Sequence, residues 1–460
     1  MAGCAHAVKR VQVDVYCLVN PFPGWREVIQ RMRSVASRWR VVELEVTMYP
    51  DSRHFDGHSV DMDKYADDVT EVGDALAVLM PDVRHLECRG INENPFARSL
   101  YGRLASHYAD QLQWLNNRHL LTMPLGCQFT QLQKAFLSCD DGADYQLPQI
   151  ASGELVNMSI LSAPANHPWR SFSADNDSQV IEFTKLTKLK VAYNTFYEED
   201  GVAVRHRDER PWTLNFPSLK RLHITCTQDM CPLLKYAVLP PRMESIFISM
   251  KLADFRDIAN VVLPAPKRLT LDVTFLSRGD PSGLPAINRL LESACGSEWL
   301  GLKIDDFMLQ VAPESITCTA LTHLQIAAPT SVDTMLAYFA RLPNLVNLTF
   351  RDLDLSDIRA DITAPSADED VIVEPLHSSL KGLAVNYDTV RHSPDTAVAV
   401  AKYVLLGIPT LAQLLAGQIP KSSMAGFVEE YASRYPHLSS VKTTFDADDN
   451  YSGVKLSLAV

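Results

Sequence analysis

The stretch LTKLKVAYNTF, Leu186–Phe196, places apolar residues at positions 1, 4, 6 and 11 and an asparagine at position 9 of the pattern L-x-x-L-x-L-x-x-N-x-L. Its central residues alternate between apolar and polar side chains, which is typical of a β-strand with one buried face. Positions 1, 4 and 6 are therefore expected to point into a core. Stretches of this kind recur along the chain, and self-similarity at a period of about 20 to 50 residues predicts a repeat architecture.

The central strand pattern recurs in one phase at many positions. Four further clear copies are LKRLHI from Leu219, LTHLQI from Leu321, LVNLTF from Leu345 and LKGLAV from Leu380. Weaker copies begin at Val8, Val41, Val83, Leu132, Leu155, Met243, Pro266, Trp299 and Leu438, and a less regular one begins at Ala109. Several copies follow a phrase of the form F/L-P-x-L, with proline at the strand entrance, where its missing N–H does little harm. We therefore expect about fifteen irregular repeats.

The intervals between strands have the spacing of amphipathic helices. In Trp25–Trp39 and Asp67–Met80, apolar residues recur every three or four residues, which is the period of a helix with one buried face. A strand followed by a helix, repeated about every 25 residues, predicts a parallel sheet lining the concave side of a curved solenoid, with helices outside. The expected fold class is thus α/β, and residues 1–460 are expected to form one continuous array.

Three long intervals are expected to hold insertions. Charged loops are expected near 198–211 and 358–376, and a helical insertion is expected at 393–436. The uncharged stretch Tyr403–Pro420 approaches the length of a membrane span. A proline and two glutamines interrupt it, so a pair of packed helices broken at Pro409 is favoured over a membrane helix.

These repeats resemble leucine-rich repeats, and their irregular spacing is similar to that of the repeat regions of F-box/leucine-rich-repeat proteins, particularly divergent fungal ones. The resemblance covers nearly the whole chain. The asparagine of position 9 is kept only at Asn194, with Asp140, Asp388 and Asp446 as substitutes. The resemblance implies a horseshoe-shaped solenoid that holds a target protein for a ubiquitin ligase. No F-box is visible before Val8, so a truncated or shortened relative is expected.

Composition and charge limit the class of protein. The 460 residues are 47% hydrophobic and 21% charged, which is typical of a globular protein, and the net charge of -12 disfavours nucleic-acid binding. Nine cysteines are dispersed without a C-x-x-C pair, and the N-terminal residues lack the apolar block of a secretory signal. A cytoplasmic or nuclear protein is therefore expected, without membrane insertion.

Signatures of catalysis and of metal binding are weak. None of the motifs G-x-G-x-x-G, G-K-[ST], H-E-x-x-H and G-x-S-x-G occurs, so we expect no enzyme, no catalytic residues and no cofactor. Cys226 and Cys231 lie near His223, but a zinc site needs a fourth ligand. Pairs of acids provide too few oxygens for a divalent cation, and the pairs considered are Asp61/Asp63, Asp352/Asp354 and Asp446/Asp448. No metal site is expected.

The strand phase predicts which side chains lie on the concave surface. If positions 1, 4 and 6 are buried, positions 3 and 5 point the other way. In the copies that begin at residues from Leu132 to Trp299, the predicted partner-binding residues at these positions are Lys134, Lys188, Lys190, Arg221, His223, Phe247, Arg268 and Lys303, with Phe136 beside them. Position 7 adds Asp272 and Asp305. The segregation of basic residues on one face predicts a protein partner with an acidic surface, although a merely solvated sheet would carry charges as well.

Two classes of function fit these observations. The first is a non-enzymatic protein-interaction scaffold, whose rigid curved sheet loses little entropy on binding. The second is a parallel β-solenoid that acts on or binds an acidic polysaccharide. A nucleic-acid binder is disfavoured because Phe136 and Phe247 are too few for a stacking platform. Helical content separates the first two classes, since the spacers of the scaffold are expected to be partly helical.

Overall fold

The structure is a computed structural model of the 460-residue chain. It describes residues 8–16, 25–36, 39–49, 66–90, 95–117, 128–138, 153–164, 180–194, 213–226, 234, 237–252, 263–275, 288–289, 291–292, 296–304, 316, 319–355, 376–387, 394–408, 410–411, 413–417, 440–445 and 452–457. The chain divides into two compact units, Met1–Pro240 and Pro241–Val460.

The first unit alternates strands and helices near its start and continues with strands. Its described elements are β1 (Val8–Tyr16), α1 (Trp25–Ala36), β2 (Trp39–Tyr49), α2 (Ala66–Leu79), β3 (His85–Gly90), α3 (Pro95–His107), β4 (Trp114–Asn117), β5 (Lys134–Ser138), β6 (Asn157–Pro164), β7 (Val180–Glu182), β8 (Lys188–Asn194), β9 (Thr213–Asn215), β10 (Arg221–Cys226) and β11 (Ala237–Val238). Helices α1 and α2 confirm the two predicted from helical periodicity, except that α1 ends at Ala36 and Trp39, expected on the helical face, begins β2.

A parallel sheet forms the centre of this unit. Among the described residues, β1, β2, β3, β4, β5, β6, β8 and β10 pair side by side in this order, and every pair is parallel. The short strands β7, β9 and β11 form a separate parallel sheet. Parallel neighbours that follow one another along the chain require a crossover between each pair, which here is a helix, a short strand or a longer connection.

The second unit repeats the same arrangement. Its described elements are β12 (Arg242–Leu252), β13 (Ala265–Phe275), β14 (Trp299–Ile304), β15 (His323–Ser331), α4 (Val332–Arg341), β16 (Asn347–Asp354), β17 (Gly382–Tyr387), α5 (Pro394–Gly407), β18 (Gln413–Gly417), β19 (Ser440–Phe445) and β20 (Ser452–Ser457). Strands β12 to β18 pair in chain order and in parallel. The protein is therefore an α/β protein with extensive parallel sheet and few helices.

The predicted burial phase is confirmed. The eight residues expected at buried positions 4 and 6 are each at most 2% exposed, and they are Leu189, Val191, Leu222, Ile224, Leu324, Ile326, Leu348 and Phe350. The strand register also places equal positions opposite each other, so that Leu222 is the partner of Leu189. The buried side chains therefore form continuous rows that run from strand to strand.

A tight turn precedes many of the strands. In the phrase Phe216–Leu219, the amide of Leu219 donates to the carbonyl of Phe216 at 3.2 Å, and Leu345 donates to Leu342 in the same way at 3.1 Å. Proline favours the second position of such a turn because its φ is already fixed. The first residue of the phrase is buried in both copies, and Phe216 stacks on Phe183 of the preceding copy at 5.2 Å.

His377 occupies the buried first position of this turn before β17. Its Nδ1 accepts hydrogen bonds from the amides of Ser379 at 3.1 Å and Leu380 at 2.9 Å. Its Nε2 therefore carries the proton and donates to the carbonyl of Leu342 at 2.8 Å. A histidine replaces an apolar residue here because both ring nitrogens have a backbone partner.

Two weak copies start at different residues from those predicted. Leu269 is opposite Leu300, and Leu300 is opposite Leu324, so position 1 of this copy is Ser297 and not Trp299. The hydroxyl of buried Ser297 donates to the carbonyl of Pro266 at 2.7 Å, which satisfies a polar residue at an apolar position. Likewise, Leu115 is opposite Leu86, so the copy predicted at Ala109 begins at Leu112.

The predicted helical insertion at 393–436 is helical only in part. Helix α5 ends at Gly407, and Gln413–Gly417 forms β18, which pairs with β17 as a further parallel strand. The phrase Ile408–Leu411 differs from the F/L-P-x-L form only by isoleucine at its first position. The amide of Leu411 donates to the carbonyl of Ile408 at 3.1 Å, as in the other turns. The interpretation as two packed helices is therefore wrong, because a strand follows α5 where the second helix was expected. The stretch is apolar throughout, so the alternation that marks a strand is not visible in its sequence.

The last repeat copy differs from its prediction in the direction of its strand. The copy predicted at Leu438 forms β19, but this strand pairs antiparallel with β20 and does not extend the parallel series.

Several predicted features lie outside the described residues. They are the loop at 198–211, residues 358–375 of the loop at 358–376, Cys231, Asp305 and the substitutes Asp140, Asp388 and Asp446. Within the described part of the chain, no helix is both long and apolar enough to cross a membrane. The single array over residues 1–460 stays a prediction.

We predict that Leu222→Ala lowers the free energy of unfolding by about 2 to 5 kcal/mol, because it removes a buried side chain from the continuous row. Urea denaturation followed by circular dichroism measures this change. Val78→Ala is the matched control, since Val78 is 74% exposed on α2 and its truncation should change stability by at most about 0.5 kcal/mol. Equal effects of both substitutions would contradict the assigned phase.

Candidate functional site

The candidate site is the surface formed by positions 3 and 5 of the parallel strands, which we call the sheet face. Along β10, Leu222, Ile224 and Cys226 are buried, whereas Arg221 is exposed and His223 is half-buried. The same alternation holds along the whole of β15. The period of two therefore separates the core from the sheet face, as the sequence predicts.

Basic residues cluster on the sheet face at β8 and β10 of the first unit. Lys188 lies opposite Arg221, and Lys190 lies opposite His223. Lys188, Lys190 and Arg221 are exposed. Lys134 is also exposed on β5, where Asn157 of β6 separates it from Lys188 along the same row. Like charges on directly opposed residues destabilise a sheet, so this cluster costs folding stability.

His223 is held neutral by its surroundings. Burial lowers the pKa of His223, and the positive charge of Lys190 lowers it further. Its Nε2 lies 3.3 Å from the hydroxyl of Thr225 on the same strand. The positive charge of the cluster is therefore carried by the lysines and by Arg221 at neutral pH.

An acidic cluster, which the sequence analysis missed, occupies the same face on β2 and β3. Glu45 is directly opposite Glu87, and their side chains are only 5% and 10% exposed. The guanidinium of Arg10 on β1 contacts the carboxylate of Glu45 and lies 3.8 Å from that of Glu87 and 3.9 Å from that of Glu43. This hydrogen bond with Glu45 raises the pKa of Arg10, because the carboxylate stabilises the charged form of the guanidinium.

Polar neighbours complete the surroundings of these acids. The hydroxyl of Thr47 donates to Glu45 at 3.3 Å, and it accepts a hydrogen bond from Gln12 at 3.2 Å. The side-chain amide of Asn116 on β4 donates to Glu87 at 3.0 Å. Asn116 is 1% exposed, and its Oδ1 has no hydrogen-bond partner in the described structure.

Aromatic rings lie between the acidic and the basic clusters. Trp114 on β4 meets His85 on β3 at 5.7 Å and Phe136 on β5 at 6.2 Å, and both pairs are nearly perpendicular. Perpendicular rings of this kind are a favourable aromatic geometry. The corrected register places Trp114 at position 3 of its copy, on the sheet face, whereas the sequence analysis expected it at buried position 6.

The predicted residues Phe247, Arg268 and Lys303 lie in the second unit. Half-buried Phe247 is on β12, opposite Thr270. Lys303 is at position 7 and not position 5, because its copy begins at Ser297; a shift of two residues keeps it on the same face. It pairs with Asp272 at 3.1 Å, so part of the predicted positive charge is neutralised. The row that was expected to join Lys188 and Arg221 to Arg268 stays a prediction.

Arg268 and Trp299 form a stacked pair on this face. The guanidinium carbon of Arg268 lies 4.1 Å from the centre of the Trp299 ring, which is a cation–π contact. The indole lies across Gly301, where a Cβ would be 2.6 Å from Cη2 of Trp299. Glycine at position 301 therefore makes room for the ring.

Sites for metal ions do not emerge from the described geometry. No group of three or more histidine, cysteine or acidic side chains within the described ranges is arranged to hold an ion. Cys226, one of the two cysteines considered for zinc, is buried in the core.

Two comparisons with known proteins identify no relative. No protein-family model matches this chain, and no curated protein matches it.

We predict that Gly301→Ala lowers the free energy of unfolding by about 1 to 3 kcal/mol, because the new methyl group displaces the Trp299 indole. Thermal unfolding and tryptophan fluorescence measure the loss of packing. Gly153→Ala serves as the control, since a Cβ at Gly153 would have no neighbour within 4 Å. An unchanged melting temperature and emission spectrum for Gly301→Ala would show that the ring does not lie there.

We predict that the pKa of His223, measured by NMR titration, lies below its ordinary value of about 6.5. Lys190→Gln should raise the pKa of His223, but only in part, because burial is the larger cause. Since the folded state resists protonation, this residue contributes stability above pH 6.5 that is lost as the pH falls. A pKa of His223 that is unaffected by Lys190→Gln would contradict the proximity of the two groups.

Proposed function

We propose that this chain is a non-enzymatic interaction scaffold of the leucine-rich-repeat type, whose sheet face binds a protein with an acidic surface. The observation that carries the proposal is the set of cations on β5, β8 and β10. Lys188 and Arg221 are opposed in register, Lys190 lies on the same strand as Lys188, and positions 3 and 5 of β5, β6, β8 and β10 hold no acid.

The energetic cost of this cluster supports a role in binding. Opposed like charges reduce folding stability, and a carboxylate surface of a partner relieves that repulsion when it binds. Electrostatic complementarity of this kind mainly raises the association rate and selects the partner. The pre-ordered sheet also lowers the entropy that binding costs.

The proposed scaffold is a curved solenoid. In-register parallel strands in chain order, with equal turns before them, support a leucine-rich-repeat solenoid with the sheet face on its concave side. A substrate-recognition module of the F-box/leucine-rich-repeat type, acting in the cytoplasm or nucleus, is the form of scaffold that the sequence resemblance favours.

The alternative is a parallel β-solenoid enzyme or binder that acts on acidic polysaccharide, which the same cations would also suit. Helices α1 to α5, of 10 to 14 residues each, favour the scaffold, because a solenoid built of strands alone has no need of such helices. Binding to an acidic peptide and to an acidic polysaccharide must therefore be compared directly.

We predict that Lys190→Glu combined with Arg221→Glu weakens binding of a fluorescent oligoglutamate peptide at least tenfold. The melting temperature should change little, because exposed charges contribute only about 0 to 1 kcal/mol to stability. Binding is measured by fluorescence anisotropy at several salt concentrations, and affinity should fall as salt rises because screening shortens the range of the attraction.

The control is Arg31→Glu combined with Arg33→Glu, which changes the net charge equally on exposed positions of α1. An equal loss in both double variants would reduce the effect to net charge and contradict the proposal. Tighter binding of oligogalacturonate than of oligoglutamate, with the same sensitivity to the sheet-face substitutions, would favour the polysaccharide alternative.

A further inference from the structure

The residues at position 3 of the strands in the first unit are exposed or half-buried, and their chemistry changes from one end of the series to the other. The strand register places eight residues side by side in the order Arg10, Glu43, His85, Trp114, Lys134, Asn157, Lys188 and Arg221. We call this series the position-3 row. Its members come from eight strands in chain order, so the order follows directly from the pairing.

Charge is separated along this row and the neighbouring row of position 5. Positions 3 and 5 of β1 to β3 hold three glutamates and one arginine, whereas those of β5, β6, β8 and β10 hold three lysines, one arginine and no acid. Glu43 is the accessible carboxylate of the acidic end, with 43% of its side chain exposed. Glu45 and Glu87 lie beside it in the more buried position-5 row.

The acidic end offers more than a group of carboxylates. Oδ1 of Asn116 is a buried acceptor without a hydrogen-bond partner in the described part of the chain, and the amide of the same side chain is bonded to Glu87. Glu43 lies 3.6 Å from His85, which contacts the Trp114 ring. Carboxylates, a free amide oxygen and an indole are together the groups that receive a basic side chain, by ion pairing and cation–π contact.

We propose that the position-3 row binds an extended segment of a partner protein that carries opposite charges at its two ends. A lysine or arginine of this segment binds at Glu43, His85 and Trp114, and acidic side chains bind at Lys188 and Arg221. Apolar residues between them pack on Trp114 and Phe136. This inference rests on the proposed function and adds to it a polarity and a length for the bound segment.

Strand spacing sets that length. Five strand-to-strand steps separate Glu43 on β2 from Lys188 on β8, which at about 4.8 Å per step is about 24 Å. An extended peptide advances about 3.3 Å per residue. If the basic residue of the bound segment contacts Glu43, it should therefore stand about seven residues from the acidic residue that contacts Lys188. If it contacts Trp114, which is three steps from Lys188, the two residues should stand about four residues apart.

Selection from a displayed library of random dodecapeptides tests this inference with the full chain as bait. Enriched peptides should carry a lysine or arginine and an aspartate or glutamate separated by about four to eight residues. Selection against Glu43→Lys should lose the preference for the basic residue and keep the preference for acidic ones. Selection against Lys190→Glu with Arg221→Glu should lose the acidic preference.

Glu71→Lys is the matched control, because Glu71 is also an exposed glutamate that contacts an arginine, but it lies on α2. Peptides selected against it should match those of the unaltered chain. Circular dichroism melts of all variants establish that each is folded, and synthetic copies of enriched peptides should bind Glu43→Lys at least tenfold more weakly than Glu71→Lys.

The outcomes separate this inference from the proposed function. Enrichment of acidic residues alone, or an unchanged preference against Glu43→Lys, overturns the two-ended segment and leaves the acidic-partner proposal standing. Peptides that are insensitive to the Lys190 and Arg221 reversals overturn the proposed function as well. An absence of any enriched peptide contradicts both, because a pre-ordered charged face of this length should select short segments.

Discussion

The structure depends on one constraint, which is that the buried residues of positions 4 and 6 meet in register on neighbouring parallel strands. A strand of about six residues with one apolar face cannot bury that face by itself, so each copy relies on the copies beside it. Leu189 against Leu222, and Leu324 against Leu348, are examples of the resulting contact. A slip of one residue would expose every leucine of a strand, and this cost fixes the orientation of all other side chains.

Because the core rows are fixed, the sheet face is fixed as well, and its polar groups must be accommodated where the register places them. In the first unit this brings Glu45 and Glu87 together in a largely buried position, where Arg10 and Asn116 compensate for part of the cost. At β8 and β10 it brings cations together. The register of the core rows thus places groups of like charge together at β2 and β3 and again at β8 and β10, whatever the cost to the stability of the sheet.

The sequence predicts the core of this protein better than it predicts the candidate site, for physical reasons. Alternation at Leu222 and Ile224 is a local property, so the burial phase can be read from the sequence. The start of the copy at Ser297 cannot be read in this way. A serine that donates its hydroxyl to a backbone carbonyl occupies position 1, where the pattern has an apolar residue, and the apolar Trp299 two residues later is mistaken for position 1. The acidic cluster lies outside the copies from Leu132 to Trp299 for which the face was predicted, although Glu43, Glu45 and Glu87 occupy positions 3 and 5 of the copies that begin at Val41 and Val83.

An error in the predicted start of a copy can, but need not, assign a side chain to the wrong face of the sheet. The shift from Trp299 to Ser297 is two residues, an even number, so it leaves Lys303 on the predicted face and only moves it from position 5 to position 7, beside Asp272. The shift from Ala109 to Leu112 is three residues, an odd number, and it moves Trp114 from the expected core to the exposed row. The parity of the error therefore decides whether a residue is assigned to the correct face of the sheet. The odd shift assigns Trp114 to the core, whereas its ring lies on the sheet face between the acidic cluster and the basic residues.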